Sequence, residues 1–152
     1  MNLLRRLILI GACSAAMGAA SAADPARGTK DEAKALAEAA AAHVNKVGSE
    51  QAFKDFADAK WHPKDMYVFA QSMDGVMIYH GANEKLVGKN FNDVKDSTGK
   101  EFNKEMIAAA RKGAGWVDYQ WVHPATKKIE DKTSYVVRIN KPEGFVGVGI
   151  YR

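Results

Sequence analysis

The stretch Gly115–Pro124, "GWVDYQWVHP", decides how this chain is read. It holds two of the three tryptophans, with Tyr119 between them. Read as a strand, its side chains alternate. Val117, Tyr119 and Trp121 then share one face, and Trp116, Asp118 and Gln120 share the other. The aromatic face either fills a core or lines a pocket for something small.

Working outward, the surrounding sequence also reads as strands. "MYVFAQS" and "VMIYH" flank "MDG", and Asp74-Gly75 is a strong two-residue hairpin signal. Downstream of the aromatic strand, Thr133–Asn140 and Phe145–Tyr151 are two more strands, with "PATKKIED" and "KPEG" as the turns between them. Upstream, Thr29-Lys30-Asp31-Glu32 has the pattern of a capping box. Ala33, Leu36, Ala37, Ala40, Val44 and Val47 follow as one helical stripe, and Gly48 sits where a helix ends. Ser49 is then placed to cap a short second helix carrying Phe53, Phe56 and Ala57. Phe102, Met106, Ala109 and Ala110 predict a third helix that stops at Gly113. The polar, glycine-bearing segment between His80 and Phe102 reads as a long loop. This order predicts one α+β domain built on an antiparallel sheet.

The opening "MNLLRRLILIGACSAAMGAASAAD" has a basic start, an apolar run and a small-residue end. That is the pattern of a secretory signal peptide over residues 1–23, cut before Asp24. The apolar part is too short to cross a bilayer. An alternative takes "IGAC" as a lipoprotein site that leaves Cys13 acylated, but the apolar run before it is short for an export signal. Cleavage before Asp24 leaves residues 24–152, the size of one domain, without a cysteine. Loss of Arg5 and Arg6 takes the formal charge from +4 to +2. The remaining charges are interspersed, which argues against nucleic acid as a partner. The expectation is a periplasmic protein with no membrane span after cleavage.

The histidines His43, His62, His80 and His123 have no metal-type spacing. Asn90, Asn92, Asp93 and Asp96 do not form an EF-hand loop. The chain shows no nucleophile motif, phosphate loop or nucleotide fingerprint, so neither an enzyme nor a cofactor is expected. The strand region is instead rich in apolar bodies with polar tips, among them Tyr79, His80, Tyr119, Trp121, Lys132 and Tyr135. Small-ligand pockets are built from such parts, and Lys132 offers a cation for a carboxylate.

Several motifs resemble, in order, the single Cache domains of bacterial extracytoplasmic sensors. These are the Asp-Gly hairpin ending in His80, the "LVGKN" loop, and Asp96 before Gly99. They continue with "GWVDYQW.HP", Lys132 with Tyr135, and the closing "GIY". The resemblance runs from about Glu32 to Tyr151. It implies a PAS-like fold, with a long N-terminal helix packed on an antiparallel sheet of about five strands. It also implies a ligand pocket between the sheet and the loop segment, walled by Trp61, Tyr79, His80, Tyr119, Trp121, Lys132 and Tyr135. Short carboxylates are the ligand class it suggests, sensed on behalf of a membrane receptor. The chain ends at Arg152 just after its last strand, so the expectation is an exported binding module without an output module of its own. The alternative function is an accessory protein that docks a receptor or another partner through its surface, with a degenerate pocket.

Overall fold

The computed structural model describes residues 26–152. The signal-peptide reading of residues 1–23 and the alternative at Cys13 lie outside the described residues. Helix α1 (Lys30–Val47) begins at the expected capping box. Thr29 Oγ1 accepts from the Glu32 amide, and Glu32 accepts from the Thr29 amide. Lys64 Nζ also donates to both oxygens of Glu32, tying the helix start to the chain before the first strand. The buried stripe of α1 is mostly alanine: Ala33, Ala37, Ala40 and Ala41, with Val44. Small side chains let the helix axis lie close to the sheet. Val47, expected on this stripe, is 38% exposed at the helix end. Gly48 closes α1 at φ 84°, a left-handed value that favours glycine. Helix α2 (Ser49–Asp55) follows at once. Ser49 is not its cap: Gly48 takes that position, and no side chain caps the helix. A single 3-10 turn, Ala59–Trp61, leads toward the sheet.

The sheet has five strands: β1 (Val68–Ser72), β2 (Met77–His80), β3 (Ala114–Val122), β4 (Ile129–Asn140) and β5 (Glu143–Tyr151). They are ordered β2-β1-β5-β4-β3, and every pair is antiparallel. The expected α+β fold with a long N-terminal helix on a five-stranded sheet is present. β4 starts four residues before Thr133, because Ile129 to Asp131 pair with Val122 to Gln120 and lengthen the ladder at the expense of the turn. Helix α3 (Phe102–Arg111) ends just before Gly113, as the sequence predicts.

Alternation divides the sheet into two faces. One face takes Val68, Ala70, Ile139, Val146, Val148 and Ile150 and packs on α1 and α2. The other takes Phe69, Val117, Tyr119, Val136, Phe145 and Tyr151 and is covered by α3 and the long loop. That loop runs back along β2. Met77 exchanges hydrogen bonds with Lys89 and Gly88, and the Phe91 amide reaches Gly75. This brings Phe91 down onto the sheet, where it is buried. Further along, Asp96 fastens the loop. Its Oδ1 accepts from the Thr98 amide and hydroxyl and from the Lys100 amide, and its Oδ2 accepts from the Gln120 amide of β3. Burial acts upward on this carboxyl, but those hydrogen bonds outweigh it and hold it down at about 2.

The alanine stripe leaves no room for growth. Ala40 is fully buried against the sheet-side core. Ala40→Leu is expected to destabilise the domain by about 1–3 kcal/mol through overpacking, measured by urea denaturation. An unchanged midpoint would show that α1 does not lie as close to the sheet as described.

Candidate functional site

The site is built by the row of side chains that the register places across the loop-side face. Tyr119 on β3 pairs with Lys132 on β4, and Lys132 pairs with Tyr151 on β5. The lysine is thus flanked by two phenols. Around its tip lies a cavity of about 260 Å³, counting its opening toward solvent. Its polar walls are Tyr67, Gln71, His80, Tyr119 and Lys132. Its apolar walls are Phe69 and Met77 from the hairpin, Phe91 from the loop, Phe102 and Met106 from α3, and Trp121 from β3. Met77 and His80 both face it although they are three residues apart. The register shifts between Ala70 and Gln71, so Ile78 and Tyr79 both turn to the α1 face.

Two glycines of β5 make the space. A Cβ on Gly149 would stand 2.4 Å from Lys132 Cε and 2.3 Å from Ser134 Oγ. A Cβ on Gly147 would stand 2.3 Å from the Phe69 ring. The "GVGIY" ending therefore leaves a channel for the lysine stem and a seat for the aromatic ring.

Lys132 is 1% exposed. Its Nζ donates to the Tyr67 hydroxyl at 2.7 Å. It stands 4.2 Å from the Tyr67 ring centre, 5.0 Å from Tyr151 and 5.6 Å from Phe69, within the range of cation–π attraction. Tyr151 OH donates to the Val122 carbonyl, so it accepts from Tyr67 OH, which in turn accepts from Lys132. Every proton in this chain has one direction, and only one ammonium hydrogen is used. Among the described residues no carboxylate lies within ion-pairing distance of Lys132. Burial pulls its ammonium down to about 7 from the ordinary 10.5, with the charge of Asp65 acting upward against it. The phenols move the other way: burial raises Tyr67, Tyr119 and Tyr151, so they stay protonated donors. Tyr119 OH shares a hydrogen bond with Ser134 Oγ.

His80 is held as a neutral ring. Its Nδ1 accepts from the amides of Ala82 and Asn83, which leaves the proton on Nε2. Burial, reinforced by the Lys132 charge, pushes it down to about 3. Gln71 Oε1 is buried on the cavity wall without a donor. The cavity therefore offers spare ammonium hydrogens, a neutral imidazole and an unengaged amide oxygen inside an aromatic shell.

Of the seven residues singled out from sequence, the structure gathers His80, Tyr119, Trp121 and Lys132. Trp61, Tyr79 and Tyr135 lie with the α1-side core and do not line this cavity. Trp61 packs edge-on against Phe56 with ring centres 4.7 Å apart, Tyr79 stacks on Phe53 at 5.2 Å, and Tyr135 meets Trp116 at 5.1 Å. The reason is parity. Tyr79 neighbours His80 and Tyr135 is three residues from Lys132, so on a pleated strand each points away from its partner. Sequence reasoning missed Tyr67, Phe69 and Gln71, although their period-two spacing marks one face of β1. It also did not assign Phe91, Phe102 and Met106 to the cavity. No local signal shows that the loop and α3 fold back over the sheet.

A helix-backed antiparallel sheet with a small cavity under a covering loop defines a PAS-like sensor domain. Residues 17–152 match the family Single Cache domain 2, and the chain belongs to it. It is 39% identical over 88 residues to the sensor histidine kinase MctS of Rhizobium johnstonii, covering 58% of this chain and 19% of that protein. It is 32% identical over 114 residues to the methyl-accepting chemotaxis protein McpP of Pseudomonas putida, covering 74% of this chain and 21% of that protein. The chain thus spans about a fifth of the length of these curated relatives. Among solved structures, a methyl-accepting chemotaxis protein from Vibrio parahaemolyticus superposes with TM-score 0.71 at 27% identity, covering 80% of this chain and 87% of that one. A Cache chemosensory domain described as recognising carboxylic acids superposes with TM-score 0.62 at 32% identity, covering 75% and 78%. No helix among the described residues is long and apolar enough to cross a membrane.

A buried, unpaired ammonium costs stability. The lysine titrates near 7 in the folded domain and at its ordinary 10.5 when unfolded. The penalty is therefore full below pH 7 and is relieved as pH rises from 7 toward 10.5. Lys132→Met keeps the stem and removes the charge. At pH 6 to 7 it is expected to stabilise the ligand-free domain by about 1–4 kcal/mol, measured by thermal unfolding. A less stable variant would mean that the lysine supports the fold.

Proposed function

We propose that this domain is an exported sensor module that binds a short organic carboxylate, with the carboxylate group seated on Lys132. The observation that carries the reading is the lysine itself: a fully buried cation with one neutral partner and hydrogens to spare. Burying such a group is costly unless an anion joins it. A carboxylate entering the cavity would lose its water and gain charge-assisted hydrogen bonds from the ammonium. The neutral His80 ring adds a donor at Nε2 without adding charge. Phe69, Met77, Phe91, Phe102 and Met106 offer apolar contact for a short tail. Even with its opening toward solvent included the space is only about 260 Å³, which favours an acid of a few carbons over a larger ligand. Likeness to a carboxylic-acid-recognising Cache domain supports the same class. Export rests on the basic, apolar and small-residue order of residues 1–23. The sensed acid would be reported to a membrane receptor, as the chemotaxis and kinase relatives suggest.

The test is a thermal-shift panel of C2 to C4 monocarboxylates on residues 24–152. A true ligand at a hundredfold excess over its Kd is expected to add roughly 2.7 kcal/mol of stability. Lys132→Met should abolish that gain. Affinity should be flat below pH 7 and weaken about tenfold per pH unit above it, because the free amine must first regain its proton. Equal affinity on both sides of pH 7, or a shift that survives in Lys132→Met, would remove the lysine from the site. A panel with no shift at all would favour the docking function instead.

A further inference from the structure

A groove open to solvent, about 1030 Å³ with its open side included, lies directly outside the cavity. Tyr67, His80 and Trp121 line both spaces, so these three side chains stand between them. Two turns of the same design form its banks. On one side His80 Nδ1 accepts from the amides of Ala82 and Asn83, and on the other His123 Nδ1 accepts from those of Ala125 and Thr126. Each fixed turn presents one lysine to the groove. Asn83 Oδ1 accepts from the Lys85 amide at the start of a 3-10 turn, and the Lys127 amide is held by the His123 carbonyl. Both lysines are exposed, and neither has an acidic partner among the described residues. Lys127 also stands at φ 60°, a left-handed conformation that suits glycine or asparagine better than a long side chain. A lysine in that position is not there to relax the turn.

From this geometry we infer that Lys85 and Lys127 form a cationic rim that draws small anions to the mouth of the cavity, between His80 and Trp121. The inference rests on the carboxylate reading for what lies beyond the mouth, but not for the rim's own attraction. Two unpaired positive charges beside a concave surface raise the local concentration of anions and speed their arrival, an effect that salt screens. The rim sets the association rate. Lys132 sets the lifetime of the complex.

Two readouts decide it. The first needs no ligand: quenching of Trp121 fluorescence at low salt by iodide, with neutral acrylamide as control and the Trp121→Phe signal subtracted. Lys85→Glu with Lys127→Glu is expected to lower iodide quenching severalfold and leave acrylamide unchanged. Lys85→Gln with Lys127→Asn, which suits the left-handed turn, should give an intermediate value and a fold at least as stable. The second is stopped-flow association with propionate as probe. Charge reversal should slow association by about tenfold at low salt, lose that effect at high salt, and leave dissociation alone. Iodide quenching that ignores the substitutions overturns the rim, as does an association rate that ignores them. If propionate does not bind the unaltered domain, the member of the C2 to C4 panel that does bind replaces it; if none binds, the carboxylate reading is what loses support, and the iodide result still decides the rim.

Discussion

The Lys132 ammonium sits where bulk water does not reach, and much of the loop-side face is arranged around that fact. Its stem passes over Gly149, where a methyl group would collide with it. Its tip meets the Tyr67 hydroxyl, whose own proton is passed through Tyr151 to a backbone carbonyl. Aromatic faces surround it, and among the described residues no carboxylate neutralises it at contact range. His80 stays neutral, first because it is buried and then because a second cation beside Lys132 would repel the first. Asp65 is the acidic group whose charge is felt at the lysine, and its own near neighbour is His123 at 3.5 Å. We read a structure that meets this cost without an anion of its own among the described residues as prepared for an external one.

The other face of the sheet makes that preparation possible. The alanine stripe of α1 gives the sheet a close, rigid backing, and Glu32 and Lys64 anchor the helix start. The loop side is held differently. Phe91 plugs the space under the loop, and Asp96 fastens its far end to the Gln120 amide of β3. The cover of the cavity is therefore held along its length: by a strand-like pairing beside β2, by the Asn90 and Asn92 side chains on the Asp74 carbonyl, and by the Asp96 clasp with the neighbouring Ser97 and Lys100 contacts to β3.

The fold was legible because its signals are local. The Asp74-Gly75 hairpin, the Thr29–Glu32 box and the alternation of "GWVDYQWVHP" each state their geometry within a few residues. The site was legible in part. Lys132, Tyr119, Trp121 and His80 stood out as polar-tipped or charged residues on strands. Trp61, Tyr79 and Tyr135 stood out for the same reason, yet parity sends Tyr79 and Tyr135 to the other face, and Trp61 reaches it from a 3-10 turn before β1. Tyr67, Phe69 and Gln71 could have been found by applying that parity to "MYVFAQS". Phe91 and Phe102 could not. Their place depends on a loop folding over the sheet, which only long-range packing decides. The Ser49 cap failed for a simpler reason: α2 follows α1 after a single residue, so Gly48 serves both helix ends.

The central claim is that Lys132 is a buried cation waiting for an anion. The most direct measurement is an NMR titration of its side-chain nitrogen in the ligand-free domain and in the domain saturated with a C2 to C4 carboxylate. The account predicts a midpoint near 7 without ligand and a rise toward the ordinary 10.5 once the carboxylate is seated. A free-state midpoint already at the ordinary value, or one that a bound carboxylate does not move, would contradict it.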